Sequence, residues 1–156
     1  MEEVQAPNFG ELLAPFIGQV GNDVPAFLAM LERGAAERYR RWSQEIPEHS
    51  EGLLACAVRE DQIADTVDSL FPIDDERRLE VSKPLPAAIE LYYSVFAAFA
   101  PYEQLAVQAN AERQGAAAWR GMLETTQDPH VRERLEYCAQ LEETSASYLE
   151  TILHAG

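Results

Sequence analysis

Glu32-Arg33-Gly34-Ala35-Ala36-Glu37-Arg38-Tyr39-Arg40 decides how this chain is read, because it returns eighty positions later as Glu112-Arg113-Gln114-Gly115-Ala116-Ala117-Ala118-Trp119-Arg120. Each copy is a glutamate, a basic residue, a run of small residues, and an aromatic seven positions after the glutamate. A second correspondence follows at an offset of 82, where Leu53, Cys56, Ala57, Glu60 and Ala64 recur as Leu135, Cys138, Ala139, Glu142 and Ala146. Two diverged copies of one helical hairpin account for both offsets.

The periodicity around these stretches is helical throughout. Leu28, Glu32, Ala35, Tyr39 and Trp42 step by four and three, the spacing of one buried stripe. So do Leu53, Ala57, Glu60, Ala64, Val67 and Phe71. The third stripe is Leu105, Ala109, Glu112, Ala116, Trp119 and Leu123. The fourth carries Val131, Leu135, Cys138, Glu142, Ser145, Leu149 and Ile152. Asn22 or Asp23 is expected to cap the first long helix, which ends near Ser43 or Glu45, and Pro25 lies in its first turn. Pro47 opens the second helix and Phe71-Pro72 stops it. Pro101 starts the third, and Asp128-Pro129 opens the fourth. No segment alternates as a strand does, so the class is all-α.

This predicts one domain over 1–156: an arm (1–21) with about one helical turn, hairpin one (22–71), a crossover (72–100), and hairpin two (101–154). Within the crossover, 72–86 is expected to be a connection, with the Asp74 to Arg78 cluster as a solvated loop. Ala87 to Ala100 then forms a helical piece. Tyr92, Tyr93, Phe96 and Phe99 on that piece, with Tyr102, either pack against the side of the helices, cover a second subunit or line an apolar channel.

Composition bounds the partners. A formal charge of −15 and a pI near 4.5 oppose nucleic acid or an anionic membrane as the main partner, since phosphates would be repelled. No run approaches the eighteen or so apolar residues of a spanning helix. The acidic Met1-Glu2-Glu3 does not read as a secretion signal, and the two cysteines lack metal-ligand spacing, so the expected location is the cytoplasm. Cys56 and Cys138 each fall one turn before a glutamate and are expected to pack as small apolar groups.

Every stripe holds one glutamate. Residues equally far from the turn of an antiparallel hairpin face each other. Position 46, directly before Pro47, is midway between Glu32 and Glu60, and position 127 is midway between Glu112 and Glu142. If the hairpins pack as related halves, four carboxylates converge at one level. Buried carboxylates are costly unless paired or protonated, and no Lys or Arg neighbours them within the stripes. Bound cations or shared protons are the two solutions. Oxygen ligands suit iron, manganese, magnesium or calcium.

The arrangement resembles the ferritin-like superfamily, in particular its rubrerythrin-like branch. Di-metal bundles of that kind take one glutamate from each of two helices and a Glu-x-x-His from each of the other two. The branch also tends to place an aromatic seven residues after the first-helix glutamate, as Tyr39 and Trp119 stand here. The resemblance covers about residues 22–153. It implies a four-helix bundle with a long crossover, Glu32, Glu60, Glu112 and Glu142 as ligands of iron or manganese, and redox or oxygen chemistry. The histidines of the pattern fall at Ile63 and Ser145 and are absent. His49 and His130 at the turns and His154 near the end do not replace them, and no Cys-rich rubredoxin-like module is present. The rival expectation is a metal-free ferritin-like scaffold or interaction module. For either, a homodimer is the expected assembly.

Overall fold

A computed structural model of the chain describes residues 4–155. Among them are seven α-helices and no strand, as the all-α reading requires: α1 (Phe9–Ile17), α2 (Val24–Glu45), α3 (Ser50–Leu70), α4 (Asp75–Ser82), α5 (Leu85–Ser94), α6 (Pro101–Gly121) and α7 (Pro129–His154). The described residues fall into two compact units. One spans residues 10–98, and the other joins residues 99–155 to residues 4–9.

The first unit is built on the α2/α3 hairpin. Pro25 sits in the first turn of α2, where its missing N–H removes a donor that has no helical partner anyway. Asp23 stands at the N-cap but makes no capping bond. It accepts instead from Arg77 of α4, whose Nε lies 3.3 Å away. Each helix of the hairpin ends two residues before a proline, which disfavours helical geometry in the residue between. Ile46, before Pro47, has φ −127° and ψ 71°, and Phe71, before Pro72, has φ −128° and ψ 63°. Pro47 does not open α3 directly, because a 3₁₀ turn over Pro47–His49 precedes it.

Three expectations need correction here. The arm before residue 22 holds more than one helical turn: α1 runs for nine residues with Pro15 inside it. Its Leu13, Phe16 and Ile17 pack on a cluster of Val20, Ala26, Phe27, Val81 and Ala88, and that apolar contact supplies what the proline removes. The turn out of α1 needs Gly21, whose φ is +59°, a conformation that costs residues with a Cβ. The Asp74 to Arg78 cluster is solvated but is no loop. Asp74 caps α4 by accepting from the Arg77 N–H at 2.8 Å, and the acidic Asp75 and Glu76 occupy the first turn, where the helix dipole favours them. The aromatic helix is also displaced, spanning Leu85–Ser94, with turns rather than helix following.

α5 packs on α2. Gly34 makes the approach possible, since a Cβ there would stand 2.3 Å from Ile89 Cδ1. Tyr93 Oη donates to the Gly34 carbonyl at 2.8 Å. Tyr92 and Phe96 are buried, and the Trp42 and Phe96 rings meet edge to face at 5.2 Å. These aromatics serve packing inside the unit.

The second unit is the α6/α7 hairpin. Glu103 accepts from the Ala100 N–H at 3.0 Å at the start of α6. Asp128 caps α7, accepting from the N–H groups of His130 at 2.9 Å and Val131 at 3.2 Å, with Pro129 at the first helical position. Residues 4–9 are clipped to α6 by Gln114, which accepts from the Phe9 N–H and donates to the Pro7 carbonyl, both at 2.8 Å. No helix among the described residues is long and apolar enough to cross a membrane.

Candidate metal centre

The four stripes face inward in their own hairpins. Ala35, Tyr39 and Trp42 on α2 are buried, as are Leu53, Ala57, Ala64 and Val67 on α3. So are Leu105, Ala109, Ala116 and Trp119 on α6, and Leu135, Cys138, Ser145 and Leu149 on α7. Cys56 and Cys138 are fully buried free thiols. Burying side chains of Leu or Trp size contributes roughly 1.5–3 kcal/mol each, which is the force holding each acid inside its stripe.

In the first unit, Glu60 on α3 is 1% exposed and Glu32 on α2 is half-buried. A carboxylate oxygen of Glu32 and one of Glu60 lie within 4.8 Å of each other. A hard cation sits about 2.0–2.6 Å from each oxygen ligand, so a single ion can span that gap.

In the second unit, Glu112 on α6 is 1% exposed and Glu142 on α7 is 3% exposed. Glu112 accepts from Gln108 Nε2, one turn earlier, at 3.0 Å. Glu142 lays its carboxylate against Gly115, where a Cβ would stand 2.1 Å from Oε2. Gly115 is three residues beyond Glu112 on the same helix face, so the two acids of this hairpin share one turn of α6.

The hairpins are also bridged at corresponding positions by arginines. Arg33 reaches Asp65 at 2.7 Å and Asp68 at 3.2 Å across the first hairpin. Its counterpart Arg113 reaches Ser147 at 3.3 Å and Glu150 at 3.0 Å. Ser147 and Glu150 are Asp65 and Asp68 shifted by 82. Arg40 pairs with Asp61, and its counterpart Arg120 pairs with Glu143, again at the offsets of 80 and 82. These bridges occupy corresponding positions in the two hairpins, and the basic residues of the repeated stretch were the available signal for them.

Sequence reading missed three residues here. Arg38 is a buried cation, 6% exposed, with its guanidinium 4.5 Å from the Trp42 ring centre and 3.6 Å from Glu45. Burial pushes its pKa down. Gln108 could have been found, being one turn before Glu112. Gly115 lay inside the repeated stretch as one small residue among several. Ile63 and Ser145, where the resemblance would place histidines, are both fully buried. His49 is half-buried at its turn, while His130 and His154 are exposed.

What the glutamates offer is an all-oxygen donor set, buried at Glu60, Glu112 and Glu142 and half-buried at Glu32. That set fits hard cations and offers nothing to thiophilic ones. Comparison of the chain with protein-family models, with curated proteins and with solved structures gives no match.

Proposed function

We propose that the chain is a ferritin-like protein in which Glu32, Glu60, Glu112 and Glu142 ligate one or two hard divalent cations, iron or manganese. The observation that carries this reading is the Glu32–Glu60 pair. Two acids from facing helices bring their oxygens within 4.8 Å inside a hairpin core, and the repeat supplies a second pair, Glu112 and Glu142, in the same stripe positions. Iron or manganese would supply redox or oxygen chemistry when bound, as the resemblance implies. The protein's own contribution is a set of charged oxygens held by helices and largely withdrawn from water at Glu60, Glu112 and Glu142, which raises their attraction for a cation.

Elemental analysis of protein purified without chelator or a histidine tag tests the reading, followed by anaerobic Fe(II) addition and exposure to air. Near-stoichiometric metal and an oxygen-dependent absorbance band support it, and Glu60→Ala and Glu142→Ala then lower metal content without unfolding the chain. Absence of both metal and spectral response sinks it.

A metal-free scaffold is the second reading. It is supported by the apolar Ile63 and the small Ser145 in the buried histidine positions, and by the Gln108 amide already solvating Glu112. On that reading Glu60→Gln raises stability above neutral pH, because it removes buried charge.

A further inference from the structure

We infer that Gly115 is a positioning residue, whose missing side chain forms the cradle that holds the Glu142 carboxylate against α6. A Cβ at residue 115 would have Glu142 Oε2 at 2.1 Å, Cδ at 2.9 Å and Oε1 at 3.5 Å, and these are its three nearest heavy atoms. Real Cβ atoms essentially never approach closer than 3.0 Å, so an alanine forces the Glu142 carboxylate to shift, and how far it can shift depends on what surrounds it. Nothing in the backbone asks for glycine here. Among the described residues, positive φ occurs at Gly21 alone, and in mid-helix a glycine is inferior to alanine. Room for the acid is the reason left.

Glu142 cannot simply swing aside into water. It is 3% exposed, and its neighbours on α7, Cys138, Ala139, Ser145 and Ala146, are all buried. Displacing it means repacking a dense interior. The cradle also belongs to hairpin two alone. The repeat places Ala35 where Gly115 stands, and Ala35 carries the methyl that Gly115 lacks. A carboxylate cannot lie against the facing helix of hairpin one in the same way. The acids of the two second arms, Glu60 and Glu142, are therefore non-equivalent, and Glu142 is the one whose place is fixed by a dedicated gap. In its metal consequence this inference rests on the proposed carboxylate site; in its steric core it does not.

The test is a thermal-denaturation cycle on the full chain in chelator, paired with Mn(II) titration followed by the resonance signal of free Mn(II). Gly115→Ala is expected to lower Tm in the wild-type background and to raise it when Glu142 is Ala, because the clash is gone and helix propensity is left. Glu142→Ser serves as that background should the alanine variant not fold. Gly121→Ala, with nothing within 4 Å of its Cβ, should raise Tm in every background. Gly115→Ala is further expected to weaken Mn(II) binding about ten- to a hundredfold, the usual cost of disturbing a ligand's support. A rise in Tm on Gly115→Ala in the wild-type background, or equal Mn(II) affinity in both proteins without the sign inversion, overturns the inference while leaving the metal reading standing. Sign inversion in a protein that takes up neither Mn(II) nor Fe(II) upholds the positioning role and removes the metal reading.

Discussion

Arg120 on α6 reaches Glu136 on α7, with Nη2 2.9 Å from Oε1, and its other arm engages Glu143. One guanidinium thus serves two carboxylates two turns apart. Hydrogen bonds from Arg120 hold both carboxyl groups below the usual range. A depressed folded value means the stabilisation is full above the ordinary pKa of about 4.5 and is lost as pH falls through the lowered values. The two acids are 38% and 37% exposed, so each pair contributes only about 0.2–1 kcal/mol. Arg120→Gln should cost roughly 1 kcal/mol at pH 7 in urea titrations, with the gap closing near pH 3. A gap of the same size at pH 3 would assign the loss to packing instead.

Gly34 admits α5 to the surface of α2. A Cβ there would strike the Ile89 side chain, and overpacking of this kind costs about 1–3 kcal/mol. Gly34→Ala should lower stability by that amount in chemical denaturation, and Gly34→Ala with Ile89→Ala should recover part of it. Equal losses in the single and double variants would place the strain elsewhere.

The buried positions 63 and 145 offer a direct way to complete the Glu-x-x-His pattern. Ile63→His with Ser145→His should lower Tm in chelator, since two polar rings enter a core that is fully buried at both sites. Fe(II) or Mn(II) should raise Tm above that of the chelated variant through binding to the folded state. Metal that leaves Tm unchanged would show that these positions do not face the carboxylates.

Arg38 is predicted to matter through its plane rather than its charge. Its guanidinium stacks on Trp42 and approaches Phe96 at 5.7 Å, and lysine cannot reproduce that stacking. Arg38→Lys should cost about 1 kcal/mol and shift the emission of Trp42. An unchanged spectrum and midpoint would reduce Arg38 to a surface-type charge.

The helices were legible because their signals are local. Stripe spacing, the first-turn prolines Pro25, Pro101 and Pro129, and the Asp128 cap act within a few residues, and the structure keeps them. α4 and α1 were under-read because both are short and interrupted or polar: α4 is mostly charged, and α1 contains Pro15. Their helicity depends on the Asp74 cap and on burial against Phe27, and burial is a contact no local pattern reveals. The glutamates could be named from sequence because each breaks an apolar stripe. Gly115 could not, since its meaning comes from Glu142, twenty-seven residues away. The paired arginines were visible as part of a repeat, yet their partners emerged only once both helices of each hairpin were aligned.

The chain has two tryptophans, and the fold places one in each unit. Trp42 is fully buried in the α2/α3 hairpin and Trp119 is 1% exposed in the α6/α7 hairpin. Trp42 lies beneath a cation and edge-on to Tyr39 and Phe96, surroundings that differ from those of an isolated indole. The molecule therefore contains two native optical probes, one in each hairpin, with Trp119 at the repeat position of Tyr39 and Trp42 one turn beyond it. Replacing either with phenylalanine leaves a single emitter, so that one fluorescence melt follows one half of the duplicated chain and the other melt follows its twin.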